Sequence, residues 1–328
     1  MKRILITGAL GQIGSEFTMY LRRLYGESAV LATDVKFREC EASLSGPFRT
    51  LDVMDQASLF TAAKDHRADA IFHLAALLSA TAEAKPLAAW KLNIDGLLNA
   101  LETARELKAQ LFVPSSIAVF GMGAGPQNVP QVSPQRPVTI YGISKTAGEL
   151  LCDYYFQKFG TDTRGLRLPG LISHAAPPGG GTTDYAVEMY AAAAQTGAYA
   201  CWIAAGTHLD MMYMPDALRA MVQLMEADGT RLIHRNAYNV SAMSVDPEKI
   251  AASIRRKIPD FRLEYRIDPV RQKIAESWPD SLDTSAAREE WGFAPEYDLD
   301  RMTDDMLHHL SRRDANGTRK VLSADAVG

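Results

Sequence analysis

The amino-acid sequence predicts an α/β fold: a doubly wound, mainly parallel sheet followed by a smaller C-terminal substrate-binding region. Three observations carry this prediction. Short apolar runs alternate with helical stretches from Arg3 to Leu168, the pattern of strands joined by crossover helices. A glycine triplet, Gly8-x-x-Gly11-x-x-Gly14, stands between the first such run and the first helical stretch. Farther on, Tyr141 and Lys145 open another helical stretch, four positions apart.

The elements follow in order. Arg3 to Thr7 reads as a buried strand, short and apolar. The glycine loop leads into a helix from about Gln12 to Tyr25. Ala29 to Thr33 is a second strand ending at Asp34, and Phe48 to Leu51 a third, followed by Asp52. A helix over about Asp55–Asp65 precedes a fourth strand, Ala70 to Leu74. A longer helix over about Pro86–Leu107 precedes a fifth, Leu111 to Ser115. The stretch Tyr141–Phe159 is helical and leads to a strand over Arg164–Leu168. Beyond that the alternation loosens. Pro177 to Gly181 is a loop, Asp184–Gln195 a helix, and the remainder mixes strands (Tyr238–Val240, Phe261–Ile267) with helices (Asp246–Lys257, Leu299–Leu310). The expected organisation is a Rossmann-type dinucleotide-binding core over 1–170, with later segments returning to it. A mainly substrate-binding region spans 171–315, and 316–328, polar or small, is expected to fray.

With 47% hydrophobic and 23% charged residues among 328, the chain has an ordinary globular composition. A core of this size needs no disulfide or metal staple. Cys40, Cys152 and Cys201 are scattered. They form no Cys/His cluster of the zinc type, so no metal is expected, and their scarcity fits a reducing cytoplasm. A net charge of −4 gives no nucleic-acid footprint. No apolar run reaches membrane-spanning length, and Met1 to Thr7 is too short for a signal peptide.

A glycine loop between a strand and a helix is a dinucleotide fingerprint. Its small residues let the backbone approach a pyrophosphate, and the helix N-terminus offers free N–H groups and positive potential. Asp34 ends the second strand about 20 residues on, the place for a carboxylate that accepts from the adenosine ribose hydroxyls. It would repel a 2′-phosphate, which favours NAD over NADP, although Lys36 and Arg38 lie nearby. Asp52, one strand later, either meets the adenine edge or serves as a turn or helix cap.

Tyr141 and Lys145 share one helix face. A free tyrosine titrates near pH 10; a neighbouring ammonium and a positively charged nicotinamide ring would favour its phenolate. Such a tyrosine takes the proton of a substrate hydroxyl while hydride leaves. Ser115-Ser116 ends the fifth strand, where ligands sit in parallel sheets, and a hydroxyl there orients the substrate or simply makes a turn.

These residues resemble the extended short-chain dehydrogenase/reductase family, in particular UDP-galactose 4-epimerase and its nucleotide-sugar relatives. The match runs from Met1 to about Leu310: the glycine loop with Gln12 and Ile13, Asp34, Asp52-Val53, His73-Leu74-Ala75-Ala76, Asn93, Ser115-Ser116, Val119-Phe-Gly121 and Tyr141-x-x-x-Lys145. The resemblance implies that Ser116, four before the aromatic of Val119-Phe-Gly121, is the active hydroxyl, that Tyr141 is the base, and that Lys145 holds the nicotinamide ribose and keeps Tyr141 acidic. It also implies that the Leu74–Ala76 backbone, Asn93 and Leu168 line the cofactor. Pairing through a four-helix bundle of the Pro86–Leu107 and Tyr141–Phe159 helices, a homodimer or higher assembly, is implied as well.

The departures narrow the resemblance. Nucleotide-sugar enzymes carry an arginine on the diphosphate; Leu209 stands in its place, and no Lys or Arg occurs from Leu168 to Leu218. A diphosphate needs cationic donors. Instead stand Gly179-Gly-Gly-Thr182-Thr-Asp184, Leu77-Leu-Ser79-Ala and Ser277-Trp278-Pro-Asp-Ser281, which look like the L-threonine 3-dehydrogenase branch. That implies NAD-dependent oxidation of L-threonine at the 3-hydroxyl to 2-amino-3-oxobutanoate, with Thr182, Asp184 and Ser79 at the substrate. Thr182 or Thr183 also suits a helix N-cap, with Asp184 favouring the helix dipole. Trp278 either covers the pocket or packs in the core. Met211, Met212 and Met214 are expected in the core, and His73 has no catalytic role. The rival readings are a nucleotide-sugar epimerase or dehydratase, and a nicotinamide-binding sensor without catalysis.

Overall fold

The seven strands of the main sheet all run parallel, in the spatial order Tyr238–Asn239, Thr163–Leu168, Gln110–Ser116, Ala70–His73, Ile4–Thr7, Val30–Asp34 and Phe48–Thr50. The structure is a computed structural model that describes residues 1–121, 123–175 and 181–315. Its strands are β1 Ile4–Thr7, β2 Val30–Asp34, β3 Phe48–Thr50, β4 Ala70–His73, β5 Gln110–Ser116, β6 Thr163–Leu168, β7 Gly170–Ile172, β8 Ala198–Cys201, β9 Leu209–Tyr213, β10 Tyr238–Asn239, β11 Met243–Val245 and β12 Arg262–Tyr265. Helices α1 Gln12–Tyr25, α2 Glu41–Leu44, α3 Gln56–His66, α4 Ser79–Ala84, α5 Pro86–Trp90, α6 Gly96–Leu107 and α7 Ile140–Phe159 lie within the first part. Helices α8 Asp184–Gln195, α9 Met214–Glu226, α10 Pro247–Arg255, α11 Pro269–Ala275, α12 Ser285–Trp291 and α13 Leu299–Ala315 complete the chain.

β1, β4 and β5 are buried on both faces, which is why their sequences read as continuous apolar runs rather than as alternation. Strand order reverses between β1 and β4, so the carboxyl ends of these two strands, Thr7 and His73, flank the crevice where this architecture holds its ligand. Helix starts are set by side chains: Asp55 accepts from the Ser58 amide at 3.0 Å to begin α3, and Thr139 accepts from Gly142 at 3.1 Å to begin α7.

The single helix expected over Pro86–Leu107 is instead α5, a π turn at Lys91–Asp95 and α6. The π turn carries Asn93 into the interior, where it is 7% exposed; such bulges concentrate at functional positions. Helix α9 lies in a stretch the sequence reading left unassigned. Pro215 stands in its first turn, and its Met214, Met221, Leu224 and Met225 pack in the core beside Phe17, Phe72 and Leu166. Met211 and Met212 are likewise fully buried.

Two smaller sheets, β11-β9-β7 and β12-β8, form with α8, α10 and α13 a second apolar cluster around Tyr185, Tyr190 and Ile254. The Pro177–Gly180 part of the expected loop and the tail over 316–328 lie outside the described residues. Among the described residues no helix is long and apolar enough to cross a membrane.

Candidate active site

The glycine loop closes tightly on itself. A Cβ on Gly14 would lie 2.1 Å from the Gly8 carbonyl oxygen, so no larger residue fits where α1 meets the loop. Gly8 has φ +68° and abuts the backbone of Leu74 and Ala75. Helix α1 begins without a side-chain cap and without an acidic residue in its first turn, which leaves its amides and dipole to an anion. The Gln12 amide nitrogen, beside it, is buried with no hydrogen-bond partner; buried polar groups are normally satisfied. Ile13, next in this turn, packs against the core. A glycine cradle, an uncapped helix start and an orphaned donor fit a pyrophosphate.

Asp34 ends β2 and accepts from the Leu10 amide at 2.9 Å through one carboxylate oxygen. Arg38 donates to the Leu10 carbonyl at 2.9 Å, so it braces the loop from the other side. Asp52 makes a local turn, accepting from the Met54 amide at 2.9 Å; Asp55, not Asp52, caps α3. Val53 is buried, and its carbonyl accepts from Asn99 at 2.9 Å.

The crevice wall after β4 is held by Thr7, His73 and Asn93. Thr7 bonds His73 through Oγ1 at 3.0 Å and takes the Leu74 amide on its carbonyl at 3.1 Å. Burial, then the nearby Lys145 charge, pushes His73 down to about 3, so it is a neutral strap. Asn93 accepts from the Leu77 amide at 2.9 Å and donates to the Leu77 carbonyl at 3.2 Å and to Ser144 at 3.1 Å. Both of its amide hydrogens are thus engaged. Asn93, expected from the sequence to line the cofactor, thereby fixes the Leu77 end of the Leu74–Leu77 wall. Ala75 and Ala76 lie on that wall beside Lys145 and Ser144.

At the end of β5 the two serines separate. Ser115 donates to Glu149. Ser116 accepts from the Ala118 amide at 3.2 Å, and its hydroxyl acts on Tyr141 in the direction of the phenolate. Lys145 Nζ sits 5.6 Å from the Tyr141 ring centre and donates to the Pro114 carbonyl at 2.7 Å. Burial pushes Tyr141 up to about 12, opposed only by the Ser116 hydroxyl. Burial pushes Lys145 down to about 8, with Cys152 and Glu149 opposing. The expected acidic tyrosine is therefore not a property of the protein alone: the ammonium is tied to Pro114, and desolvation outweighs it.

Beneath this set lies an ion pair that sequence reading missed. Arg167 donates to Glu149 at 2.9 and 3.0 Å, with side-chain exposures of 9% and 5%. Arg167 also donates to the Gln131 carbonyl at 2.8 Å and to Asn239 at 3.1 Å, which ties β10 to the site. Through Ser115 the pair fixes the end of β5. A single sequence cannot reveal such a pair, because its partners lie on different elements at no characteristic spacing.

Ser79 is buried at the start of α4, and Leu168, paired with Ser116 across β5 and β6, ends β6 at 6% exposure. Thr182 and Asp184 are buried, at 4% and 6% exposure. Asp184 accepts from the Gly181 amide at 2.8 Å. Thr183 occupies the N-cap position of α8 but makes no side-chain cap bond; its side chain abuts Gly170. Trp278 packs between the second core and the cluster of Ile117, Val119 and Phe120 that follows Ser116.

The chain matches the NAD-dependent epimerase/dehydratase family over residues 4–241. A relative from Staphylococcus saprophyticus, described as an uncharacterized epimerase/dehydratase, is 56% identical over 315 residues, covering 96% of this chain and 98% of its own. The structure is similar to that of an L-threonine dehydrogenase from Clostridium difficile, with TM-score 0.94 and 57% identity over 95% of this chain and 98% of that one. It is also similar to the holo form of a GalE-like L-threonine dehydrogenase from Cupriavidus necator, with TM-score 0.91 and 45% identity over 94% and 99% of the two chains.

Proposed function

The chain belongs to the NAD-dependent epimerase/dehydratase family, and within it we propose an NAD-dependent L-threonine 3-dehydrogenase that converts L-threonine to 2-amino-3-oxobutanoate. The observation that carries the substrate is the wall beyond β6. Thr182 and Asp184 are buried there, in a stretch from Leu168 to Leu218 that holds no Lys or Arg. An amino acid needs short fixed partners and a negative charge for its ammonium; a nucleotide diphosphate needs cations.

Gly8, Gly11, Gln12, Ile13 and Gly14 would hold the pyrophosphate of NAD, Asp34 the adenosine ribose, and Asp52 and Val53 the adenine. Leu74, Ala75, Ala76, Asn93 and Leu168 line the rest, with Tyr141 and Lys145 at the nicotinamide ribose. Bound NAD would supply the hydride acceptor for C3 of threonine. The deprotonated oxygen of Tyr141 accepts the 3-hydroxyl proton, and Ser116, at the end of β5, holds that hydroxyl in place. Lys145 supports the phenolate by charge. Ser79, Thr182 and Asp184 position the amino acid. The proton removed from the hydroxyl leaves through Tyr141 to solvent, which balances the two-electron oxidation.

The same reading places the protein in the cytoplasm, consistent with three free cysteines, as a homodimer. The deciding experiment measures NADH formation with L-threonine, L-serine and UDP-galactose. L-Threonine is expected to be oxidised, and serine weakly, because the missing methyl forfeits about 1–3 kcal/mol of pocket contact. Interconversion of UDP-galactose with threonine inert would overturn the proposal.

A further inference from the structure

Among the described residues, the end of β5 has a neighbouring strand on one side only. Its register with β4 stops at Phe112, whereas its register with β6 runs on to Ser116. Pro114, within that overhang, has no N–H to give to a ladder. The overhang is held instead by contacts with α7. Tyr141, Lys145 and Glu149 stand four apart along one face of that helix. Lys145 Nζ donates to the Pro114 carbonyl at 2.7 Å, Ser115 donates to Glu149, and the Ser116 hydroxyl acts on Tyr141. Glu149 is itself anchored: Arg167 donates to it at 2.9 and 3.0 Å, and Gln135 at 2.5 Å. Arg167 is also the register partner of Ser115 across β5 and β6, so both strands and the helix meet at one buried carboxylate. Hydrogen bonds to a charged acceptor are shorter and stronger than neutral ones.

We propose that Ser115 is a positioning residue for the dehydrogenation: its hydrogen bond to Glu149 sets where β5 ends. With that end it sets the place of Ser116 beside Tyr141 and of the Pro114 carbonyl that receives Lys145. The reaction is the one assigned under the dehydrogenase reading, on which this role rests; the placement of the strand end does not depend on it. The Ser115 hydrogen is committed to Glu149, so it is not the one offered to a substrate hydroxyl. Two adjacent serines thus divide the work: Ser116 faces the reaction and Ser115 holds the strand that carries it. Removing the Ser115 hydroxyl leaves Glu149 its bonds from Arg167 and Gln135. The ion pair therefore survives, and only the strand end is released. The sequence alone does not separate the two serines, because Glu149 and Arg167 reach Ser115 only in the fold.

The test compares the full chain with Ser115→Ala and Ser115→Thr. The readouts are kcat and KM for L-threonine, NAD affinity, Tm, and hydrogen exchange across Ile117–Phe120, where the Ala118 amide donates to Ser116. Ser115→Ala is expected to lower kcat by roughly ten- to a hundredfold, the scale of a displacement of up to about an ångström. Threonine KM, NAD affinity and Tm should change little, and exchange over Ile117–Phe120 should quicken. Ser115→Thr keeps the hydroxyl, and the cavity that Ser115 borders with Ser144 and Lys145 gives the added methyl room; it should restore both kcat and protection. Parental kcat or parental exchange in Ser115→Ala would overturn the proposal, as would a Thr variant as impaired as the Ala variant. A parent chain inert with threonine would overturn the dehydrogenase reading alone, and the exchange comparison would still decide whether Ser115 sets the strand end.

Discussion

A Cβ placed on Gly142 would lie 2.2 Å from the carbonyl oxygen of Ala118. The first turn of α7, which carries Tyr141, is thus pressed directly against the turn that follows Ser116. This contact sets the register between base and hydroxyl. Gly142→Ala should push the two apart by up to about an ångström. Displacements of that size cost on the order of 10²-fold in turnover. Kinetics and NAD binding measured together check it: kcat should fall while NAD affinity holds. Unchanged kcat would show that the contact does not position the base.

The pH dependence of threonine oxidation follows from the same pair. Tyr141 must lose its proton to act as base, and burial pushes it up to about 12, while Lys145 is pushed down to about 8. Raising the pH therefore increases the active form, and kcat/KM should climb from neutral into alkaline pH. The apparent pKa belongs to the coupled pair and not to either residue. Tyr141→Phe should lower kcat by about 10²–10⁴ and flatten the climb in what activity remains. A variant with wild-type turnover would end the assignment of Tyr141 as base.

How much of this was legible in the sequence depends on how local each feature is. The glycine loop, Asp34, and the Tyr141/Lys145 spacing are local patterns tied to one strand end or one helix turn, and α1 spans Gln12–Tyr25 as read. Strands β7, β8 and β9 were not legible, because short buried strands carry little periodicity of their own; helix α9, by contrast, does show in the sequence, with Pro215 in its first turn and Leu218, Met221, Val222 and Met225 at helical spacing. The Arg167–Glu149 pair and the engagement of Asn93 by Leu77 and Ser144 were invisible for another reason. Each joins residues on separate elements, so only the fold brings them together. Likewise the high pKa of Tyr141 is a consequence of burial, which a spacing rule does not contain.

Cofactor choice rests on Asp34, whose carboxylate ends β2 and faces the glycine loop through Leu10. A 2′-phosphate there meets like charge, and NAD should exceed NADP in specificity constant by a wide margin. Asp34→Ala should narrow the ratio, since Arg38 stays nearby on the Leu10 carbonyl. A wild-type preference for NADP would contradict the role given to Asp34.

Assembly should follow the exposed apolar face of α5 and α7. Leu87 is 86% exposed, Leu150 62% and Tyr154 53%, on two helices that pack on each other, and exposed apolar surface of this kind marks interfaces. Light scattering is expected to show a dimer at micromolar concentration. Leu150→Glu should shift it toward monomer with little change in Tm, because the side chain is exposed within the protomer. A parent chain that is monomeric throughout would refute the interface.

Asp210 supplies a pH-dependent term in stability. Its carboxylate accepts from Ser241 and from the Leu282 amide at 2.8 Å. Burial nevertheless pushes it up to about 7, against those hydrogen bonds. The unfolded chain releases this proton near the ordinary carboxylate value of about 3.9. Between about pH 4 and 7 the folded state therefore binds more protons than the unfolded one, and the contribution of Asp210 falls as pH rises through that window, by at most about 1.4 kcal/mol per unit. Asn fits the same position, with its oxygen on the Leu282 amide and its nitrogen donating to Ser241. Urea unfolding at pH 5 and pH 8 should show Asp210→Asn gaining on the parent by on the order of 2–3 kcal/mol at the higher pH. An identical stability difference at both values would mean that Asp210 is ionised in the folded protein throughout.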